Sequence, residues 1–278
     1  MNPQIPLSFP VFNGNENQYT QQAISSGHIA TNGSFISRFE EKLSTRLKTH
    51  ECVTLNSGTS ALHLSLVLLG ISSGDEVICQ SFTFCASANP IVYLGATPIF
   101  VDSEKDTWNI CPELLEDAIL SRLAKGKKPK AIVVVHLFGM PAKMNEILEV
   151  AEKYGIPVLE DAAEAIGSEF EGRPCGTLGQ IAVFSFNGNK IMTSGGGGAL
   201  ISTDSAKIQR AKLLSTQARE DFPFYHHLEI GYNYKMNNIS AAIGLAQLEQ
   251  LDMFINNRRA VNQRYRELLE DFPGIEFQ

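Results

Sequence analysis

Short apolar runs alternate with helical patterns along the middle of the chain. Helical patterns occupy residues 60–69, 86–94, 112–123 and 143–154. Strands that are apolar on both faces and separated by helices indicate a mostly parallel sheet covered on both sides. The pattern therefore predicts an α/β fold of three layers around a seven-stranded sheet. Its candidate strands are residues 52–55, 76–79, 98–101, 131–135, 157–159, 182–185 and 199–202.

The N-terminal part lacks this alternation. Residues 1–35 end in a cluster of Gly, Asn and Ser and predict loops. The helix predicted next, at residues 35–46, places Phe35, Phe39 and Leu43 on one face.

The C-terminal part also changes character. Residues 206–214 predict a helix, and residues 217–234 predict an aromatic, polar loop. Residues 236–270 carry one long helical periodicity, which predicts a long helix. We therefore expect a large domain at residues 1–235, with residues 236–278 leading into an incomplete C-terminal small domain.

Composition and charge narrow the possible partners. The net charge of -7 argues against nucleic acid or an anionic membrane held by bulk electrostatics. No uncharged run approaches the roughly 20 apolar residues that a membrane helix needs. The five cysteines form no C-x-x-C pair, so we expect no metal site and a cytoplasmic location.

Polar and aromatic clusters follow two of the early strands, where ligands bind in open α/β sheets. At the first junction Gly58 allows a tight turn, and the following helix N-terminus with the Thr59 and Ser60 hydroxyls suits a phosphate. At the second junction an aromatic ring of the Ser81–Phe84 run could stack on a planar ligand. Taken singly, these are also the features of an ordinary helix start and of a core aromatic.

Two further clusters follow later strands. Glu160 and Asp161 come directly after an apolar run, and a buried carboxylate there needs a partner such as a protonated pyridine nitrogen. Lys190 lies five residues past a strand end, before the glycines 195–198. An amine directed into the cleft would be the nucleophile that imine chemistry requires. The four clusters together suit pyridoxal phosphate.

The chain resembles the DegT/DnrJ/EryC1/StrS sugar aminotransferases, which are fold type I pyridoxal-phosphate enzymes. The resemblance covers essentially the whole chain and implies an aminotransferase large domain. The segments that carry it are Ser57-Gly58-Thr59, Gly74-Asp75-Glu76-Val77-Ile78, Ser81–Phe84, Glu160–Ala163, Ser185-Phe186 with Lys190, and Gly231-Tyr232-Asn233-Tyr234.

The resemblance implies a role for each site residue on the cofactor ring. Lys190 would be the Schiff-base lysine, and Asp161 would pair with the pyridine nitrogen. Phe84 would stack on the ring. Glu164 would lie near the 3-oxygen, where family members carry Gln, His or Glu.

The resemblance also implies how the phosphate is held. Gly58, Thr59 and the Ser185 hydroxyl would contact it within one subunit. Asn233 would reach the phosphate of the neighbouring subunit, since these enzymes are homodimers with active sites at the interface.

The implied reaction transfers an amino group from L-glutamate to the C4 ketone of a nucleotide-linked 4-keto-6-deoxy sugar. Residues 215–219 and 225–227 resemble the branch acting on UDP-linked 4-keto-6-deoxy-2-acetamido hexoses. His226 and His227 are equally compatible with simple polar loop residues.

Three features depart from the family pattern and keep alternatives open. Gly196 replaces an acid, Lys235 stands where arginine is usual, and we expect the family's C-terminal small domain to be incomplete. A catalytically silent binding or regulatory protein is therefore one alternative. A sugar dehydratase is another, although those relatives carry histidine in place of Lys190. An enzyme of the same fold acting on amino acids is a third.

Overall fold

The computed structural model describes residues 8–48 and 51–277, and its strands confirm the predicted sheet. Seven strands form one sheet in the order β1-β9-β8-β5-β4-β2-β3, and β6 and β7 form a separate hairpin. The bounds are β1 Glu51–Leu55, β2 Glu76–Gln80, β3 Thr97–Val101, β4 Ala131–Val135, β5 Val158–Asp161, β6 Glu169–Phe170, β7 Arg173–Pro174, β8 Ile181–Ser185 and β9 Gly198–Ser202.

The sheet is mostly parallel, as predicted. Neighbours from β3 through β2, β4 and β5 to β8 all pair in parallel, and β9 alone runs antiparallel to both of its neighbours. The carboxyl ends of β1, β4, β5 and β8 therefore meet at one edge of the sheet. The hairpin of β6 and β7 carries no apolar run and was not predicted.

Helices cover both faces of the sheet. The described helices are α1 Glu16–Ser25, α2 Ser34–Leu47, α3 Gly58–Leu68, α4 Asn89–Tyr93, α5 Pro112–Leu123, α6 Met144–Tyr154, α7 Ser205–Ser215, α8 Asn238–Glu249 and α9 Leu251–Leu269, with 3-10 helices at Cys85–Ser87 and Leu137–Gly139. Among the described helices, none is long and apolar enough to cross a bilayer.

The core is divided by the sheet into layers. On β8, Val183 packs with α3 and α7 on one face, whereas Phe184 packs with α2 and α8 on the other. The same second face is continued by α5 and α6, whose Leu115 and Ile147 pack against Ile132. Neighbouring side chains of a strand point to opposite faces, so a run apolar at every position fits this burial.

The loop prediction for residues 1–35 was wrong, because α1 lies inside it. Its polar sequence shows no apolar stripe, and the helix is held by contacts with α8. The buried Glu16 carboxylate accepts from the Gln247 side chain at 2.5 Å and from the Gly14 N–H at 2.9 Å. The contacts with Gln247 and α8 join residues far apart in the chain, so periodicity carries no sign of them.

The single long helix predicted at residues 236–270 was also wrong. The chain leaves helical geometry at Gln250, with φ -102° and ψ 3°, and α8 and α9 meet there. Residues of both helices pack in the same apolar cluster, so the apolar repeat runs across the break. Residues 86–94 are divided as well: Pro90 lacks the N–H that a continuous helix would use, and α4 begins anew beside it.

Candidate active site

A cleft of about 610 Å³ opens at the edge of the sheet where the strands end beside the N-terminus of α3. This volume lies within the range of small-molecule sites. The structure brings together there the predicted site residues except Asn233 and Ser60. The Ser60 hydroxyl, predicted as a phosphate donor, instead donates to Asn56 Oδ1 at 2.7 Å. The predicted residues that line it are Gly58, Thr59, Phe84, Asp161, Glu164, Ser185 and Lys190.

Lys190 presents its amine to this cleft from the turn after β8. Its backbone N–H bonds back to the Asn187 carbonyl at 3.0 Å, which closes the turn. The amine Nζ lies 2.9 Å from Glu164 Oε1, and the other oxygen of Glu164 accepts from the Phe138 N–H at 3.0 Å. Glu164 thus holds the amine in place, where it could attack a bound carbonyl group.

Asp161 ends β5 with its carboxyl group in the cleft and only 4% of the residue exposed. Burial raises the pKa of this carboxyl, while hydrogen bonds from the Ser87 hydroxyl and the Ala163 N–H oppose the rise. These bonds measure 2.7 Å and 3.2 Å. A buried acid of this kind favours a cationic ligand group beside it.

Ser87 is a site residue that sequence reasoning missed. It is buried at the end of the first 3-10 helix, and its Oγ also lies 2.8 Å from Thr83 Oγ1. Ser87 gives its one proton to the acceptor-only carboxylate of Asp161, so Thr83 must donate to Ser87. The only sequence signal was its position four residues after Thr83, in the cluster that follows β2.

The two adjacent acids of β5 have different environments. Glu160 is buried with His136, whose Nε2 donates to it at 2.9 Å, because His136 Nδ1 accepts from the Ala142 N–H. Burial alone would raise the pKa of Glu160, but this bond and the backbone N–H groups of the loop at 176–179 hold it below its usual value. Glu160 therefore anchors a loop, and Asp161 is left for the cleft.

The start of α3 packs closely against the end of β8 and the start of β9. A Cβ on Gly58 would lie 2.9 Å from Ser185 Cβ, and one on Gly198 would lie 2.6 Å from the Ser57 carbonyl oxygen. Ser57 caps the helix by accepting from the Ser60 N–H at 3.0 Å. The helix N-terminus, with the Thr59 and Ser185 hydroxyls near it, has the donors that a phosphate group needs.

The remaining predicted residues are on the rim or outside the cleft. Phe84 lines the opening with 75% of the residue exposed. Asn233 is exposed outside the cleft lining, and its carbonyl accepts from the Asn56 side chain at 3.1 Å. Lys235 pairs with Glu40 at 2.5 Å, and Gly196 lines the cleft without a side chain.

The two loop histidines make local contacts in the described structure. His226 stacks edge-on with Phe222, at 5.1 Å between ring centroids. His227 Nδ1 lies 2.9 Å from the Gln217 carbonyl oxygen. Neither ring is among the residues that line the cleft.

The donor set fits pyridoxal phosphate. Lys190 supplies an amine for the aldehyde, and Asp161 supplies a buried carboxyl for the ring nitrogen. The helix N-terminus at Gly58, with the hydroxyls near it, suits the phosphate. Within residues 8–48 and 51–277, no group of His, Cys, Asp and Glu side chains could hold a metal ion.

Comparisons with known proteins agree with this site. The model of the DegT/DnrJ/EryC1/StrS aminotransferase family matches residues 11–278. EpsN of Bacillus subtilis (strain 168), named for pyridoxal phosphate-dependent aminotransferase activity, is 47% identical over 100% of this chain and 71% of its own length. GDP-perosamine synthase of Escherichia coli O157:H7 is 43% identical over 98% of this chain and 73% of its own.

A solved structure of a sugar aminotransferase has the same fold. Spr1654 of Streptococcus pneumoniae, described as a sugar aminotransferase and solved in its PLP form, superimposes with a TM-score of 0.90 at 29% identity. The match covers 97% of this chain and 72% of the solved one. The chain therefore spans about 70% of the length of the proteins it matches.

Proposed function

Because this chain belongs to the DegT/DnrJ/EryC1/StrS aminotransferase family, and so is a pyridoxal-phosphate-dependent sugar aminotransferase, we propose that it aminates a nucleotide-linked 4-keto-6-deoxy sugar at C4. The amino donor is L-glutamate. The nucleotide is UDP, as the resemblance of residues 215–219 and 225–227 to the UDP-sugar branch favours.

One observation carries the proposal. The Lys190 amine and the buried Asp161 carboxyl share one cleft with the N-terminus of α3. A nucleophile, a partner for a cationic ring and an anion site are the three features that this chemistry needs in one place.

Each side chain has a distinct task in the reaction. When bound, the cofactor supplies an aldehyde carbon that amines attack and a ring that withdraws electrons from the carbon being deprotonated. The Asp161 carboxylate stabilises positive charge at the ring nitrogen, and its bond from Ser87 favours the ionised form. Lys190 Nζ would take the proton from the substrate carbon and deliver it to the former aldehyde carbon, acting as base and then as acid. Glu164 orients this amine between the two steps.

The phosphate is bound by two subunits in this proposal. Gly58, Thr59 and Ser185 contact it from one subunit, and the neighbouring subunit of a homodimer contributes Asn233. The exposure of Asn233 outside the cleft of its own chain supports a role toward a partner. Residues 1–235 act as the cofactor-binding domain.

GDP is the alternative nucleotide, because the relative that shares 43% identity is named GDP-perosamine synthase. The purified protein, loaded with pyridoxal phosphate and L-glutamate, is incubated with UDP- and GDP-linked 4-keto-6-deoxy hexoses. We expect 2-oxoglutarate and an aminated UDP-sugar, detected by mass spectrometry. Transfer of the amino group to 2-oxo acids but to no nucleotide sugar would refute the proposal.

The role of Lys190 has its own test. Lys190→Ala removes the amine that moves the proton, so we expect turnover to fall by about 100- to 10,000-fold. Lys125→Ala, at an exposed lysine outside the cleft, should keep the wild-type rate. Wild-type turnover in Lys190→Ala would contradict the assignment.

A further inference from the structure

Three aromatic rings form an exposed surface beside the cleft. The reaction described above assigns no role to this surface. Phe82 and Phe138 line the cleft, and Trp108 stands next to Phe82. The ring centroids lie 6.4 Å apart for Phe82 and Trp108 and 6.5 Å apart for Phe82 and Phe138. Their exposed fractions are 49%, 39% and 67% for Phe82, Trp108 and Phe138. We call these three residues the aromatic ledge.

The backbone of the ledge is strained at two of its three residues. Trp108 has φ 60° and Phe138 has φ 54°, in the left-handed region that bulky side chains rarely adopt. Such strain persists only where the surroundings enforce it, and it is concentrated at functional sites. The strain therefore needs a structural support, which two buried amides provide.

The first support is Gln80, which is fully buried at the end of β2. Its Nε2 donates to the Phe82 carbonyl at 2.8 Å. Its Oε1 accepts from the backbone N–H groups of Ile110 and Val135, both at 3.3 Å. One side chain thus joins the three segments that carry the rings of the ledge.

The second support is Asn109, also fully buried and next in sequence to Trp108. Its Oδ1 accepts from the Leu137 N–H at 2.9 Å, and its Nδ2 donates to the Met140 carbonyl at 2.9 Å. The turn that contains Phe138 is therefore tied to the segment of Trp108. The ledge is a pre-organised surface, because both of its strained residues are fixed by buried hydrogen bonds.

The ledge begins next to the reactive amine. The Phe138 N–H donates to one oxygen of Glu164 at 3.0 Å, and the other oxygen lies 2.9 Å from Lys190 Nζ. A single carboxylate group therefore separates the ledge from the amine. Phe82 and Phe138 line the same cleft as this amine, so they offer an aromatic wall to the atoms that adjoin a substrate carbon held there.

We propose that the aromatic ledge binds the apolar C–H face of the substrate's hexose ring together with its 6-methyl group. This inference rests on the proposed function. The hexose is favoured over the nucleobase because Lys190 must reach C4 of the sugar to move its proton, whereas the diphosphate holds the base away from the amine. Aromatic walls with a few placed polar groups are typical of small-molecule sites.

The single tryptophan of the chain makes the ledge observable without a label. The loaded enzyme is titrated with UDP-N-acetylglucosamine and, separately, with UDP, while Trp108 emission is recorded. GDP-mannose and GDP form a second pair. These hexoses carry a hydroxyl at C4 and do not react. We expect the emission to change with a nucleotide hexose but not with the matching nucleoside diphosphate. Equal changes with both members of a pair, or no change with any ligand, would overturn the proposal.

A kinetic test uses variants that keep the backbone conformation. Phe138→Gly and Trp108→Gly remove a ring each, and glycine adopts a positive φ without strain. We expect each to raise the KM for the sugar nucleotide by about tenfold. In Trp108→Gly the half-reaction with L-glutamate, which has no ring to place, should be unchanged. In Phe138→Gly, whose N–H bonds to Glu164, the loss should be larger in the sugar half-reaction than in the glutamate half-reaction. Phe100→Ala, at an exposed ring on the edge strand β3, is the control and should match wild type in both half-reactions.

The outcomes separate the two proposals. If the wild type reacts with L-glutamate but with no nucleotide sugar, the proposed function fails and the ledge inference fails with it. If the wild type aminates a nucleotide sugar and the ledge variants do so with the same KM, only the ledge inference fails. The ledge inference would also be overturned if the ledge variants lost activity equally in both half-reactions. It would likewise be overturned if these variants changed the mass of the oligomer and left both half-reactions intact.

Discussion

Removal of the Ser87 hydroxyl should weaken cofactor binding through Asp161. In the native protein the hydroxyl donates to Asp161 Oδ2 at 2.7 Å, and only 4% of Asp161 is exposed. A hydrogen bond to a charged group is worth about 1.5–3 kcal/mol, and water cannot easily replace it at a buried carboxylate. If Asp161 pairs with the ring nitrogen, Ser87→Ala should raise the Kd of pyridoxal phosphate by about 10- to 100-fold.

The sign of the pH dependence follows from the same contacts. Burial raises the pKa of Asp161 and the bond from Ser87 opposes that rise, so the variant's pKa should be higher still. Less carboxylate is then ionised at low pH, and pairing with a cationic ring weakens. The loss of affinity should be largest at acid pH and should shrink as pH rises through the raised pKa, because Asp161 then ionises in both proteins.

The assay is an equilibrium titration of the protein with pyridoxal phosphate across a pH series, followed by cofactor absorbance. Thermal unfolding of each variant checks that the fold persists. Thr83→Ala is the matched control, since it removes the bond to Ser87 Oγ and leaves the bond from Ser87 to Asp161 in place. A Ser87→Ala protein with wild-type Kd at every pH would refute the reasoning.

Two further predictions concern packing and acid stability. Gly58→Ala puts a Cβ 2.9 Å from Ser185 Cβ, so it should lower the free energy of unfolding by about 1–3 kcal/mol and raise the Kd of pyridoxal phosphate in a titration. Gly188→Ala is the control and should change neither quantity, because no heavy atom lies within 4 Å of its Cβ. Cofactor binding at wild-type strength in Gly58→Ala would contradict the assignment of the phosphate site. The pKa of Glu160 is held below its usual value, so its carboxylate stabilises the fold at neutral pH, and this contribution is lost as pH falls through the lowered pKa. Glu160→Gln puts an amide NH2 where a carboxylate oxygen accepts from N–H donors, so it should cost about 1–3 kcal/mol at pH 7 for each donor left unpaired. It should also flatten the acid side of the Tm-against-pH curve, and an unchanged Tm at pH 7 would refute this.

The apolar runs and the polar clusters that follow them were enough to predict the sheet and the edge of it that holds the cleft. Runs that are apolar at every position are typical of strands buried on both faces, and the strands formed where the runs predicted them. In a parallel sheet the carboxyl ends of the strands lie at one edge, so residues as distant as Gly58, Asp161 and Lys190 were expected together and line one cleft. The family resemblance is confirmed by the match over residues 11–278.

Tertiary structure alone decided the features that depend on partners distant in sequence. The α1 helix has no apolar stripe and is held by Gln247, and the break at Gln250 lies inside an unbroken apolar repeat. Alternation along β5 puts Glu160 and Asp161 on opposite faces, but only the contacts made by those faces give each acid its task.

The aromatic ledge is the clearest case. Its rings come from three separate segments, and the amides of Gln80 and Asn109 that join them lie at sequence positions with no periodicity to mark them. Local sequence governs which element forms, because periodicity and backbone preference act over neighbouring residues. The surroundings of a buried polar group are set by whichever segments the fold brings against it, and these become known only once the chain is folded.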